Sequence, residues 1–138
     1  MEAVVRPYAL LAELTYSCPL HCPYCSNPVR SETKDELSAE EWRRVIREAV
    51  SLGVLQIGFS GGEPLQRPDL EKLIEVAHEA GAYTNLITSA IGLTERRAAA
   101  LVNAGLTVDC PPRRWASAVP TGLQCHDNDI SGRHPSQG

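Results

Sequence analysis

The sequence predicts an α/β fold built on a parallel sheet, and three observations lead there. A strand-like segment followed by a helix-like one recurs three times before Gly105. The middle strand-like segment, LQIGFS, is a continuous apolar run bounded by glycines, the pattern of a strand buried on both faces. The helical segments carry start and stop signals at the expected distances. Three βα units in succession imply parallel strands joined by right-handed crossovers.

Taken in order, Tyr8 to Tyr16 (YALLAELTY) reads as the first strand, with Glu13 a lone charge in an apolar run that would face a barrel interior. A loop holding Cys18, Cys22 and Cys25 follows it. Ser38 caps the first helix, Glu41 three positions on completes a capping box, and Trp42, Val45, Ile46, Ala49 and Val50 form its apolar face up to Gly53. Leu55 to Ser60 is the second strand. The second helix is expected to hold Pro68 in its first turn, to bury Leu70, Leu73, Ile74 and Ala77, and to close at Gly81. Tyr83 to Ala90 (YTNLITSA) is the third strand, and Thr94 caps a third helix running to about Asn103.

At 138 residues there is room for one domain. The formal net charge is −4 and Lys34 and Lys72 are the only lysines, which argues against a nucleic-acid partner because phosphates would be repelled. The first residues lack the basic start, long apolar run and small-residue cleavage site of a signal peptide, so a cytoplasmic protein without membrane attachment is expected. In that reducing compartment a cysteine cluster points to metal binding or catalysis rather than disulfides.

In parallel βα architectures the strand C-termini share one face, and loops beyond them build the site. The three cysteines, Gly61-Gly62-Glu63-Pro64 and Thr88-Ser89 each follow a different strand, so they are expected to converge. Cys18-x3-Cys22-x2-Cys25 supplies three soft thiolates suited to iron-sulfur or zinc, and a [4Fe-4S] cube needs a fourth ligand. A structural zinc site with His21 as fourth ligand is the alternative. Against it, His21 adjoins Cys22, whereas structural zinc ligands come as two separated pairs. Taken singly, the bland readings are that GGEP is a turn with Glu63 a solvated charge, and that Thr88 and Ser89 cap a strand end. His78 reads as solvated on a helix surface, and Cys110, Cys125 and His126 as incidental.

The C-x3-C-x2-C spacing with Tyr24 before the third cysteine, followed by GGEP one strand later, resembles the signature of radical S-adenosylmethionine (SAM) enzymes. The resemblance implies that Cys18, Cys22 and Cys25 hold three irons of a [4Fe-4S] cluster and that SAM chelates the fourth. One electron passed into the sulfonium then yields methionine and a 5′-deoxyadenosyl radical. It further implies that Tyr24 lies beside the adenine and that Gly61, Gly62, Glu63 and Pro64 receive the methionine end. The glycines would let backbone approach the ligand, and the carboxylate would favour an ammonium. Thr88 and Ser89 would contact ribose or carboxylate, and no catalytic side chain is nominated. The fold implied is the N-terminal portion of a partial (β/α)6 TIM-like barrel.

LLAELTYSCPLHCPYCSNP, LQIGFSGGEPLQRPDLEKLI and YTNLITSAIGLTERR resemble more narrowly the PqqA peptide cyclase family of pyrroloquinoline quinone (PQQ) biosynthesis, over roughly Tyr8 to Leu106. Ser26-Asn27-Pro28 and Ile91-Gly92-Leu93-Thr94 point to that subfamily beyond the shared signature. Other peptide-modifying branches of radical SAM enzymes share the core. The narrower resemblance implies a carbon-carbon bond between a glutamate and a tyrosine of the precursor peptide PqqA, the carrier PqqD as partner, and an electron donor such as flavodoxin. Residues 1–106 are expected to form a truncated radical SAM core domain. Residues 107–138 contain four prolines, three glycines, no Glu and no Lys, and are expected to form a disordered tail. The expectation is that the natural frame is lost near Leu106, by frameshift, pseudogene formation or misplaced gene boundaries, leaving an inactive fragment.

Overall fold

A computed structural model of the protein describes residues 6–23, 25 and 35–107. Tyr24, Ser26-Asn27-Pro28, Cys110, Cys125, His126 and residues 108–138 of the expected disordered tail lie outside the described residues. Strand β1 (Ala9–Glu13) is followed by helix α1 (Ala39–Ser51), strand β2 (Gln56–Ser60), a 3-10 turn (Pro64–Gln66), helix α2 (Leu70–Glu79), strand β3 (Tyr83–Leu86) and helix α3 (Glu95–Asn103). The sheet has order β1-β2-β3, and both pairings are parallel. Three parallel strands, each followed by a helix, form part of a TIM-like barrel, the class expected from the sequence.

Local sequence explains most element boundaries. Ser38 accepts from the Glu41 N–H at 3.3 Å while Glu41 Oε2 accepts from the Ser38 N–H at 2.8 Å, so the capping box at the start of α1 is formed. Thr94 likewise accepts from the Arg97 N–H at 3.2 Å at the start of α3. The Leu55 N–H already donates to the Tyr8 carbonyl at 2.9 Å, so the first two strands are hydrogen-bonded one residue before their regular pairing begins.

Three boundaries differ from expectation. The first strand, expected from Tyr8 to Tyr16, pairs regularly only over Ala9–Glu13, because Thr15 and Tyr16 turn to Glu36 and to the Gly62 N–H. Pro68 does not lie in the first turn of α2, which starts at Leu70; Asp69 at its N-cap makes no side-chain cap because its carboxylate is taken by Arg67. The third strand stops at Leu86, although the Ile87 N–H still donates to the Phe59 carbonyl at 2.9 Å. Beyond that point Thr88 and Ser89 turn toward Glu63, and Ala90 has a φ of 61°, incompatible with a strand.

The register assigns the two sheet faces. Leu10, Ala12, Ile57, Phe59, Thr84 and Leu86 share the helix-covered face and pack against Trp42, Ile46, Leu70, Leu73, Ile74 and Leu101. Phe59 is fully buried there, a burial that contributes about 1.5–3 kcal/mol by transfer alone. Ala9, Leu11 and Glu13 lie on the opposite face, which the helices leave open; Leu11 is 57% exposed and Glu13 is exposed beside Ser60. In a closed barrel that face would look inward. Among the described residues no helix is long and apolar enough to cross a membrane.

Candidate functional site

All three strands end at one edge of the sheet, and the segments that follow them are stitched together by hydrogen bonds. After β1, the Thr15 carbonyl accepts from the Gly62 N–H at 2.6 Å and the Ser17 carbonyl from the Glu63 N–H at 2.8 Å. The turn after β2 thus lies against the residues immediately preceding Cys18. After β3, Thr88 and Ser89 reach the same turn through Glu63. The convergence expected from the strand order is present.

Gly61 and Gly62 are required by that contact. A Cβ built on Gly62 would stand 2.5 Å from the Ser17 carbonyl oxygen and 2.7 Å from that of Tyr16. At Gly61, with φ +135°, it would stand 2.4 Å from the Thr15 carbonyl oxygen. The close approach these glycines permit is that of the chain's own first loop, which brings the cysteine segment onto the turn.

Glu63 is 0% exposed, so its reading as a solvated charge does not hold. Burial of a carboxyl group requires partners, and both oxygens have them. Oε1 accepts from the Leu65 N–H at 3.0 Å and the Thr88 hydroxyl at 2.5 Å; Oε2 accepts from the Ser89 N–H at 2.9 Å and the Ser89 hydroxyl at 2.6 Å. Thr88 and Ser89 therefore hold Glu63 across the site. Pro64, next in the chain, is fully buried and opens the 3-10 turn.

Cys18 is partly buried, Cys22 and Cys25 are exposed, and all three are free thiols. The Cys25 N–H donates to the Cys22 carbonyl at 3.1 Å, which places these two cysteines at the ends of one turn. Among the described residues no three His, Cys, Asp or Glu side chains stand together to hold a single metal ion. The thiolates of a cube each bind a different iron and need no such common point.

Sequence reasoning missed the side chains that brace this site. Arg67 forks onto Asp69, Nε to Oδ1 at 2.9 Å and Nη2 to Oδ2 at 2.7 Å, and its Nη1 donates to the Leu14 carbonyl at 2.9 Å and the Leu37 carbonyl at 3.1 Å. The Arg67 hydrogen bonds and charge hold the Asp69 carboxyl below its usual range, and the same bonds raise the Arg67 guanidinium. Arg97 donates to the carbonyls of Leu65 at 2.6 Å and Arg67 at 2.9 Å and pairs with Glu71 at 3.0 Å, fastening α3 to the segment after the turn. Thr15 and Glu36 join the two flanks of the cysteine segment. An arginine two residues before an aspartate across a proline, Arg67-Pro68-Asp69, was the one local signal available.

Comparison with known proteins agrees with this geometry. The radical SAM superfamily profile matches residues 12–112. The PqqA peptide cyclase of Rhizobium meliloti (strain 1021) is 55% identical over 107 residues, which cover 77% of this chain and 28% of that protein. The chain thus spans little more than a quarter of the length of that relative. Among solved structures, BtrN in complex with AdoMet and 2-DOIA superposes with a TM-score of 0.62 at 28% identity, over 71% of this chain and 42% of BtrN. SuiB of Streptococcus suis, bound to the precursor peptide SuiA, gives a TM-score of 0.62 at 27% identity, over 70% of this chain and 22% of SuiB. With the profile covering most of the chain, and with the three-cysteine loop seated on a glycine turn at the strand ends, the chain belongs to the radical SAM superfamily.

Proposed function

We propose that this chain carries the cluster-binding and SAM-binding part of a PqqA peptide cyclase, the enzyme that joins a glutamate and a tyrosine of PqqA by a carbon-carbon bond in PQQ biosynthesis. The observation that carries the reading is the joining of three strand-end loops: the Cys18 segment on Gly62 and Glu63, and Glu63 on Thr88 and Ser89. The 55% identity to a PqqA peptide cyclase narrows it within the superfamily. The SuiB complex with a precursor peptide supports a peptide as the substrate class.

The donor set fits a [4Fe-4S] cluster: Cys18, Cys22 and Cys25 are free thiols at the strand C-termini, and thiolates are the ligands such clusters take. On this reading they hold three irons and leave one position for SAM. When bound, the cluster and SAM together supply one-electron cleavage of the sulfonium and hydrogen-atom abstraction. The chain's own residues position these partners. On this reading the backbone of the Gly61-Gly62 turn receives the methionine end, Glu63, buried with both oxygens bonded, holds that turn in place rather than meeting the ammonium itself, and Tyr24 would lie beside the adenine. Thr88 and Ser89 fix the Glu63 rotamer through both oxygens. Cross-linking would remove two hydrogens from PqqA, one as the abstracted atom and one as a proton whose electron would replace the one spent in cleaving SAM, so that SAM is the net two-electron oxidant. PqqD is assigned as peptide carrier, a flavodoxin-type protein as electron donor, the cytoplasm as location, and residues 1–106 as the core domain.

The test is anaerobic reconstitution with iron and sulfide. The expected result is one oxygen-sensitive cluster whose EPR signal changes when SAM is added, and loss of iron on changing any of Cys18, Cys22 or Cys25 to alanine. Tight zinc binding without an EPR-active cluster, or full cluster retention in all three variants, would overturn the assignment.

A further inference from the structure

The cysteine segment lies between β1, which ends at Glu13, and α1, which begins at Ala39, and its two flanks are clasped to each other at Thr15-Tyr16 and Glu36. Glu36 Oε1 accepts from the Thr15 hydroxyl at 2.8 Å and from the Tyr16 N–H at 2.8 Å. Thr15 Oγ1 in turn accepts from the Ser17 N–H at 3.0 Å. Arg67 spans the same junction, since one guanidinium nitrogen reaches both the Leu14 and the Leu37 carbonyls. The strand side of this clasp is the backbone that receives Gly62 and Glu63, through the carbonyls of Thr15 and Ser17. A single carboxylate oxygen therefore ties the return of the cysteine loop to the residues on which the glycine turn rests.

We propose that Glu36 and Thr15 are positioning residues that set the cysteine loop against the Gly61-Gly62 turn. This inference rests on reading the three cysteines as cluster ligands. Closing a long loop costs entropy that grows with the logarithm of its length. With its flanks already joined, the loop arrives at the site with that closure complete, before any iron binds. The direction of the Tyr16–Cys18 backbone decides both where the first thiolate stands and where the glycine turn stands, because Ser17 bonds directly to Glu63. A fault in the clasp therefore shifts cluster and SAM site relative to each other. Neither Glu36 nor Thr15 needs to touch iron or SAM to do this. The clasp requires an acceptor at position 36 and a hydroxyl at position 15. Glutamine preserves the first and serine the second, whereas alanine and valine do not.

The experiment uses the full 138-residue chain in wild-type form and as Glu36→Ala, Glu36→Gln, Thr15→Val and Thr15→Ser. Amide hydrogen exchange on the iron-free chain reads the clasp without any cofactor. Glu36→Ala is expected to speed exchange of the Tyr16, Gly62 and Glu63 amides about tenfold relative to Ile46 in α1. After reconstitution, the SAM concentration that half-converts the EPR signal is expected to rise about tenfold in Glu36→Ala and Thr15→Val at near-normal iron content, and to return close to wild type in Glu36→Gln and Thr15→Ser. If Glu36→Ala unfolds globally, so that Ile46 exchanges as fast as Gly62, the Thr15→Val and Thr15→Ser pair decides. Unchanged exchange at Gly62 and Glu63 in Glu36→Ala and Thr15→Val overturns the inference. So does altered exchange with an unaltered SAM response. A wild type that holds no cluster defeats the assignment of the cysteines, and the exchange data then show separately whether the clasp exists.

Discussion

Replacing Gly62 with alanine is the sharpest perturbation the site offers. Gly62 does not adopt a positive φ, so the added methyl group acts by volume alone. Its Cβ would stand 2.5 Å from the Ser17 carbonyl oxygen, about 0.9 Å inside the 3.4 Å at which ordinary contact begins, and 2.7 Å from the Tyr16 oxygen. These are backbone atoms and cannot swing aside as a side-chain end would. Forced overpacking of this kind typically costs about 1–3 kcal/mol. Moving Ser17 back by the missing distance also stretches its 2.8 Å bond from the Glu63 N–H and strains the 2.6 Å bond from Gly62 to Thr15. Each lost bond adds about 1 kcal/mol. The total is roughly 3–5 kcal/mol, a large share of the 5–15 kcal/mol that holds an ordinary domain together. Urea unfolding of the iron-free chain should show this loss. Reconstitution should show iron and SAM binding falling together, because the displaced carbonyls directly precede Cys18. Gly92→Ala serves as the control: nothing lies within 4 Å of its Cβ, so only the cost of its φ of +78° appears. A Gly62→Ala chain with wild-type stability and full iron would refute the steric account.

Three further changes probe the frame around the site. Ser38→Ala removes one half of the α1 capping box and should cost about 1 kcal/mol, lowering the melting temperature by about 4–8 °C; a shift within the error of the melt would show that the box is not stabilising. Asp69→Asn tests the Arg67 fork through pH. The Asp69 pKa is depressed in the folded chain, chiefly by the Arg67 hydrogen bonds, so its stabilisation is present above the unfolded value of about 3.9 and is lost as pH falls through the lower folded value. The urea midpoints of wild type and Asp69→Asn should therefore converge as pH drops below about 4, and a gap that stays constant down to pH 2 would rule the fork out as its source. Ala90→Gly relieves a left-handed residue at φ 61°, whose cost of about 1–2 kcal/mol exceeds the 0.5–1 kcal/mol entropy of glycine; it should raise the melting temperature by a few degrees, and a lower one would mean that the methyl group packs usefully.

Whatever depends on neighbours close in the chain was legible before the structure. The capping box at Ser38 and Glu41 spans three residues, Thr94 and Arg97 likewise, and the apolar spacing of Leu70, Leu73, Ile74 and Ala77 recurs with the helical turn, so side-chain type alone specified these elements. The order of strands and helices then placed the cysteines, the GGEP turn and Thr88-Ser89 at one edge, because parallel strands must all end on the same side. Tertiary structure alone decided how those loops meet. Glu63 bonds to residues 25 and 26 positions away, Glu36 to Thr15 at a separation of 21, and Arg67 to Leu14 at 53. No periodicity or local pairing encodes such partners, since each exists only once the sheet has brought distant segments within hydrogen-bond reach. The glycines show the same division. Their presence in Gly61-Gly62 was plain in the sequence as a place of close approach, but what approaches them, the backbone of Thr15 to Ser17, is set by the packing of one loop on another.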